Sequence, residues 1–139
     1  MTKKAMQIAF ATHINQQDKS KVAYVFHPYH LAEQMSDEVS ICVALLHDVV
    51  EDSETTFDDL SEKGISEQVV DAIKLMTHDH SVDYMEYVQN IKDSGNECAI
   101  RVKLADLKHN SDLSRISDIK EEDLERLEKY KDAIALLEA

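Results

Sequence analysis

Residues 44–52 read ALLHDVVED and place four polar groups at the end of an apolar run. His47 and Glu51 are four residues apart, as are Asp48 and Asp52, so on a helix the members of each pair lie one turn apart. Burying several carboxylates together is unfavourable unless a cation neutralises them. The stretch therefore predicts a helical segment built around a metal ion.

The composition favours an all-α fold. The 139 residues include only two glycines and one proline, and strand-like alternation is nearly absent, so we predict a single compact multi-helix domain over residues 1–139. We expect no signal peptide, membrane-spanning run or lipidation motif. Cys42 and Cys98 form no CxxC pair and are interpreted as reduced core cysteines of a cytoplasmic protein.

The charge of the chain restricts the classes of partner. A formal net charge of −13 argues against binding to nucleic acid or to a membrane surface, because both polyanions require a basic footprint. A small phosphorylated nucleotide is still compatible, since a bound divalent cation can invert the local field.

Helical periodicity predicts further helices along the rest of the chain. Residues 18–26 break the helical pattern and are interpreted as a loop or a short extended segment. The closing helix has a strongly acidic outer face, which we interpret as a solvated face or as a homo-oligomer contact. The predicted helices cover residues 6–17, 27 onward, 36–52, 55–64, 66–76, 83–93, 97–113 and 119–137.

A candidate metal site follows from four residues that are distant in the sequence. Two histidines and two aspartates would supply two imidazole nitrogens and two carboxylates from three separate helices, a mixture that suits a divalent cation of moderate hardness. This number of ligands leaves coordination positions for water and a substrate oxygen, as a catalytic metal requires. The four residues are His27, His47, Asp48 and Asp106.

Further polar residues are placed to assist such a site. Glu51 and Asp52 lie one turn beyond the predicted ligands, where they could orient or deprotonate a water molecule. Asn110 is one turn after Asp106 on the same helix face, and Lys103 is a candidate for binding a phosphate group. The other histidines, His109 among them, are interpreted as surface or packing residues.

Three segments together carry a resemblance to a known family. They are YVFHP at residues 24–28, ALLHDVVED at residues 44–52 and VKLADLKHN at residues 102–110. With this H…HD…D pattern, the chain resembles the HD phosphohydrolase superfamily, and within it the hydrolase domain of the RelA/SpoT alarmone enzymes and their small stand-alone relatives. The similarity runs in the same order along the chain from about residue 13 to residue 114.

The resemblance implies an all-helical fold and a defined reaction. It implies one manganese ion at the four candidate ligands, with Glu51 and Asp52 acting on the attacking water. The implied reaction removes pyrophosphate from the 3′ position of guanosine tetra- or pentaphosphate and leaves GDP or GTP. The resemblance also implies that Asn110 contacts the sugar region and Lys19 a phosphate or the base, and we predict substrate binding by the neighbouring Ser20 as well.

One loop departs from the family pattern. Residues 18–24 read DKSKVAY, where the family usually has RKSGEPY, so Asp18 stands in place of an arginine that packs against guanine. A carboxylate cannot offer that planar cation. Two alternatives therefore stay open: the same chemistry on another nucleotide, such as a nucleoside monophosphate or a 3′-phosphorylated nucleotide, and a non-catalytic sensor or interaction module.

Overall fold

The computed structural model describes residues 1–18, 21–116 and 118–139, and it confirms the all-helical prediction. Gln17 and Ala23 pair in an isolated antiparallel bridge at the base of the loop that precedes the second helix. The helices are α1 (Thr2–His13), α2 (Phe26–Glu33), α3 (Glu38–Leu46), α4 (Val49–Asp52), α5 (Phe57–Glu62), α6 (Glu67–Met76), α7 (Tyr84–Asp93), α8 (Glu97–Asn110), a 3₁₀ turn at Leu113–Arg115 and α9 (Glu121–Glu138).

Side-chain caps explain where several helices begin. The Asp37 side chain accepts a hydrogen bond from the backbone N–H of Ser40 at the start of α3, and Asn96 caps α8 in the same way. Thr56 and Asp59 form a reciprocal capping box at the start of α5. After α5 the chain turns at Gly64, whose φ of +93° suits a residue without a Cβ atom.

Helix α3 lies at the centre of the fold and packs against α1, α2, α6 and α8. Its last five residues, from Cys42 to Leu46, are all buried. Burying a leucine side chain stabilises the folded state by about 1.5–3 kcal/mol, so Leu45 and Leu46 hold the end of α3 firmly inside the protein. The residues that follow α3 therefore enter the interior rather than the solvent.

The boundaries of some helices differ from the predictions. Helix α1 ends at His13 rather than near residue 17, α2 starts at Phe26 within the predicted loop, and α8 ends at Asn110, before the 3₁₀ turn. The predicted helix over residues 36–52 is interrupted, because the chain forms a turn at His47 and Asp48. Among the described residues, no helix is long and apolar enough to cross a membrane.

Candidate metal centre

The interruption between α3 and α4 orients His47. In an unbroken helix, the carbonyl oxygen of Ala44 would accept a hydrogen bond from the backbone N–H of Asp48. Here the Nδ1 atom of His47 lies 2.6 Å from that oxygen and donates to it. This bond assigns the proton to Nδ1 and turns Nε2 toward the interior, so the backbone defines which nitrogen of His47 can bind a ligand.

The four predicted metal ligands meet at one point. The Nε2 atom of His27 lies 2.8 Å from Oδ1 of Asp106, and Nε2 of His47 lies 3.5 Å from the same oxygen and 3.0 Å from Oδ2 of Asp48. A set of three ligand atoms, one from each of His27, His47 and Asp48, has all its mutual distances within 4.8 Å. Three parts of the chain therefore bring two imidazoles and two carboxylates together, and Asp106 adjoins the cluster of the other three through the two histidines.

The buried carboxylate of Asp106 is balanced by Lys103. The Nζ atom of Lys103 lies 3.0 Å from Oδ2 of Asp106 and also faces the rings of Tyr84 and Tyr87. Burial is the largest single effect and opposes both charges, but the neighbouring groups together outweigh it. Asp106 and the two tyrosines hold the pKa of Lys103 well above its usual value, and Lys103, with a hydrogen bond from His27 and the nearby charge of His47, holds the pKa of Asp106 well below. Lys103 thus neutralises one of the two carboxylates.

The residues present fit a divalent cation. The Nε2 atom of His47 is buried and has no hydrogen-bond partner among the described residues, despite its short distance to Asp48. Burial lowers the pKa of His47, but Asp48 and Asp106 together raise it well above its usual value, so this environment favours positive charge at Nε2. A cation bound there would replace the proton and satisfy the orphaned nitrogen. Mixed imidazole and carboxylate donors suit such an ion.

Asp48 has a partner that the sequence did not suggest. The hydroxyl group of Tyr24 donates a hydrogen bond to Oδ2 of Asp48, and the Tyr24 ring lies between those of His13 and His27, with centroid distances of 4.9 and 5.4 Å. Burial and the charge of Asp48 raise the pKa of Tyr24, so the hydroxyl group keeps its proton. The available signal was the position of Tyr24 three residues before His27.

Glu51 and Asp52 flank the centre on two different sides. Oε1 of Glu51 accepts a hydrogen bond of 2.6 Å from the backbone N–H of His78, whereas Oδ2 of Asp52 accepts one of 3.4 Å from Gln16, in the segment that follows α1. Both residues are exposed, yet partial desolvation of each carboxyl group and the nearby charge of Asp48 raise both pKa values. Two accessible carboxylates with raised proton affinity are suited to accept a proton from water.

Two cavities open beside the centre. The smaller, of about 140 Å³, lies over His47, Asp48 and Asp106 and is also lined by Glu51 and Lys103. The larger, of about 300 Å³, is lined by residues of the loop before α2, of the 3₁₀ turn and of α9, which include Asp18, Tyr24, Leu113, Arg126 and Leu127. Asn110 and Tyr130 line both cavities, so a ligand in the larger one reaches the centre past these two side chains.

The predicted substrate-binding residues have different positions. Asn110 donates a hydrogen bond of 3.1 Å from Nδ2 to Oδ1 of Asp106 and lies where the two cavities meet. Lys103 lines the smaller cavity, but its ammonium group is paired with Asp106. Lys19 and Ser20 lie outside the described residues. Sequence reasoning missed Arg126, which forms an ion pair with Asp123 beside the larger cavity, and Tyr130, because α9 carries no motif.

Known proteins that resemble this chain include two curated guanosine-3′,5′-bis(diphosphate) 3′-pyrophosphohydrolases. The enzyme MESH1 of Xenopus tropicalis is 33% identical over 108 residues, which cover 70% of this chain and 60% of that relative. The enzyme of Aquifex aeolicus is 32% identical over 85 residues, which cover 58% of this chain and 12% of that relative. The chain thus spans less than two thirds of the length of either relative. No protein-family model matches the chain.

Among solved structures, the fold matches that of a metazoan ortholog of SpoT described as hydrolyzing ppGpp. The TM-score is 0.77 over 98% of this chain and 84% of that chain, at 24% sequence identity, so this match shows a shared fold. The two sequence relatives show that the chain is homologous to MESH1 and the SpoT-like ppGpp hydrolases, which have an HD domain, and the structural match shows that it shares their fold.

Proposed function

We propose that this protein is a metal-dependent phosphohydrolase that removes the 3′-diphosphate group of guanosine tetra- or pentaphosphate, leaving GDP or GTP and pyrophosphate. The observation that carries the proposal is the meeting of two imidazoles and two carboxylates at one point on the wall of the smaller cavity. The names of the two sequence relatives support the choice of substrate.

In this proposal His27, His47, Asp48 and Asp106 hold a manganese ion or another divalent cation. When bound, the ion supplies positive charge at the phosphoryl group and lowers the pKa of water. Hydrogen bonds hold these side chains in place before any ligand arrives: Ala44 orients His47, and Tyr24 orients Asp48. A centre arranged in advance loses little free energy to reorganisation when the reaction occurs.

In this proposal Glu51 accepts the proton of the attacking water, and Asp52 helps to orient that water. Glu51 lines the cavity over the centre and has a raised pKa, so it accepts a proton more readily than an ordinary glutamate. The hydrogen bond from the backbone of His78 occupies Oε1, which leaves Oε2 for water. Asp52, held by Gln16 on the opposite side, assists by orientation and by its negative charge.

The two cavities suggest how a nucleotide would lie. The larger cavity offers room for a nucleoside, and Arg126 on its wall supplies a cation for phosphate oxygens. Asn110, at the junction, is placed to contact the sugar whose 3′ substituent enters the smaller cavity. Lys19 and Ser20 would add contacts from the loop, and Lys103 would add positive charge to the wall of the smaller cavity.

A single assay tests this proposal. The purified protein is stripped of metal, reloaded with Mn²⁺ and incubated with guanosine tetraphosphate, and released pyrophosphate and orthophosphate are measured separately. We expect GDP and pyrophosphate in equal amounts, only with metal present. Absence of turnover in protein with a full complement of Mn²⁺ would reject the proposal.

A second candidate substrate is favoured by Asp18. This acidic residue lines the larger cavity where the family usually has an arginine, and its Oδ1 accepts a hydrogen bond of 3.0 Å from the backbone N–H of Val22. A carboxylate repels phosphates and cannot stack on a base as a guanidinium does. We therefore include nucleoside monophosphates and other 3′-phosphorylated nucleotides in the same assay, and faster turnover of one of these would replace the guanosine substrate while keeping the reaction class.

A further inference from the structure

The imidazole of His27 is held from both of its nitrogens. Its Nε2 faces Asp106, and its Nδ1 lies 2.6 Å from Nδ1 of His109. The ring planes of His27 and His109 differ by 11°, and the ring centroids are 4.9 Å apart. If the rings were stacked face to face, a 2.6 Å distance between the two Nδ1 atoms would bring the ring centroids much closer together than 4.9 Å. The two rings therefore meet edge to edge and lie in almost one plane. This is the favourable geometry for an N–H···N hydrogen bond.

This contact has a consequence for the ligand nitrogen. If Nε2 of His27 binds a cation, it must present a lone pair, and the proton of the neutral ring is then on Nδ1. That N–H needs an acceptor, because Nδ1 is in a buried part of the protein and an unsatisfied buried donor costs about 1–3 kcal/mol. Nδ1 of His109 is at hydrogen-bond distance and in the plane of the ring.

We propose that His109 is a positioning residue, which accepts the Nδ1–H of His27 and thereby fixes the tautomer and ring orientation that present Nε2 to the metal ion. The inference rests on the metal site of the proposed function. Asp106 and His109 are three residues apart on α8, so one helix face provides both a ligand and the support for a second ligand from α2.

The other side of His109 faces outward. Its ring lies against that of His30, with a centroid distance of 4.5 Å, and His30 is in turn paired with Glu33. These three residues line a separate cavity of about 350 Å³ on the outer side of α2. His109 therefore lies between this separate cavity and the metal centre, and it lines neither of the two cavities proposed to hold the nucleotide.

The test compares His109→Leu with His109→Asn. Asparagine places an oxygen near the position of the histidine Nδ1 and keeps the acceptor, whereas leucine has a similar size and removes it. The Mn²⁺ dissociation constant of each metal-free variant is measured by titration, with the thermal midpoint of the metal-free protein recorded alongside. We expect about 10–100-fold weaker Mn²⁺ binding for His109→Leu, the usual effect of losing a partner that orients a ligand, and recovery to within a few-fold for His109→Asn.

The matched control is His30→Leu, which changes the packing on His109 but keeps its bond to His27; we expect nearly unchanged Mn²⁺ affinity. Unchanged affinity in His109→Leu, or equal weakening in His109→Leu and His109→Asn, would overturn the proposal. If His109→Leu does not fold, His109→Phe keeps a planar ring without the acceptor and takes its place. Because Mn²⁺ binding is measured without substrate, failure to hydrolyse any nucleotide would reject the proposed function and leave this result standing.

Discussion

Two segments each place an aspartate at the metal centre, but they differ in backbone structure. Residues 44–52 do so by interrupting a helix, so that His47 and Asp48 lie in a turn between α3 and α4. Helix α8 does so without interruption, and Asp106 projects from its middle. The first arrangement depends on a backbone carbonyl captured by a side chain, and the second on ordinary helical spacing.

The two aspartates also differ in how their charge is balanced. Asp106 is bonded to Lys103 and Asn110 of its own helix, three residues before and four residues after it, and its side chain is 8% exposed. Asp48 is 22% exposed and takes its hydrogen bond from Tyr24, which belongs to the distant segment before α2. The charge of Asp106 is therefore balanced from within its own helix, whereas Asp48 receives its hydrogen bond from a distant segment.

The largest effects are expected from removing either aspartate. Asp48→Ala and Asp106→Ala should both abolish Mn²⁺ binding and hydrolysis, because each removes a proposed ligand. They should differ in the metal-free state: Asp106→Ala leaves the buried Lys103 unpaired and is strongly destabilising, whereas Asp48→Ala is milder. Metal analysis and denaturant unfolding of the metal-free proteins measure the two effects. Full activity in either variant, with metal content unchanged, would contradict the site.

Glu51→Gln should separate catalysis from metal binding. The substitution keeps size and polarity but removes the proton acceptor, so we expect Mn²⁺ affinity close to that of the wild type and a rate lower by about 10²–10⁴-fold. Single-turnover hydrolysis and Mn²⁺ titration give the two values. Glu54→Gln, which changes an exposed carboxylate just beyond the end of α4, is the matched control and should be neutral. A wild-type rate for Glu51→Gln would remove Glu51 from the mechanism.

Lys103→Met tests the balance of charge within α8. Removing the ammonium group leaves Asp106 as an uncompensated buried charge, and we expect the free energy of unfolding of the metal-free protein to fall by about 3–5 kcal/mol. Mn²⁺ should restore more stability to this variant than to the wild type, because the ion replaces the lost cation. Denaturant unfolding with and without Mn²⁺ measures both. The control is Lys108→Met, also in α8, which breaks an exposed ion pair with Glu138 of α9. It should lower the free energy of unfolding by at most about 1 kcal/mol. Equal losses in the two variants would refute the expectation.

The smallest effect is expected at Tyr24, on the side of the centre that is supported from a distance. Tyr24→Phe removes the hydroxyl group that holds Asp48 and should weaken Mn²⁺ binding by about tenfold, at the lower end of such effects. The control is Tyr29→Phe, because the Tyr29 hydroxyl bonds only to the backbone of Met6 in the described structure. Mn²⁺ titration measures both, and equal affinities in the two variants would show that Tyr24 does not orient Asp48.

Most of the fold could be predicted because its signals are local. The helical pattern predicted helices at the positions of α6, α7 and α9, and Thr56 and Asp59 have the three-residue spacing of the capping box that begins α5. The interruption at His47 could not be predicted, since apolar and polar residues on both sides of it fit a continuous helix. It arises because the buried His47 side chain competes with the backbone of Asp48 for one carbonyl oxygen.

At the candidate site, the donor types follow from the amino-acid sequence. Two histidines and two aspartates in the HD pattern can serve a divalent cation wherever the chain places them, since donor chemistry belongs to the side chain. The groups that hold these four side chains depend on the folded chain: Tyr24 holds Asp48, Lys103 holds Asp106 and His109 holds His27. Hydrogen bonds require distances near 3 Å and aligned rings, and two of these three pairs join residues far apart in the sequence, which no local pattern encodes.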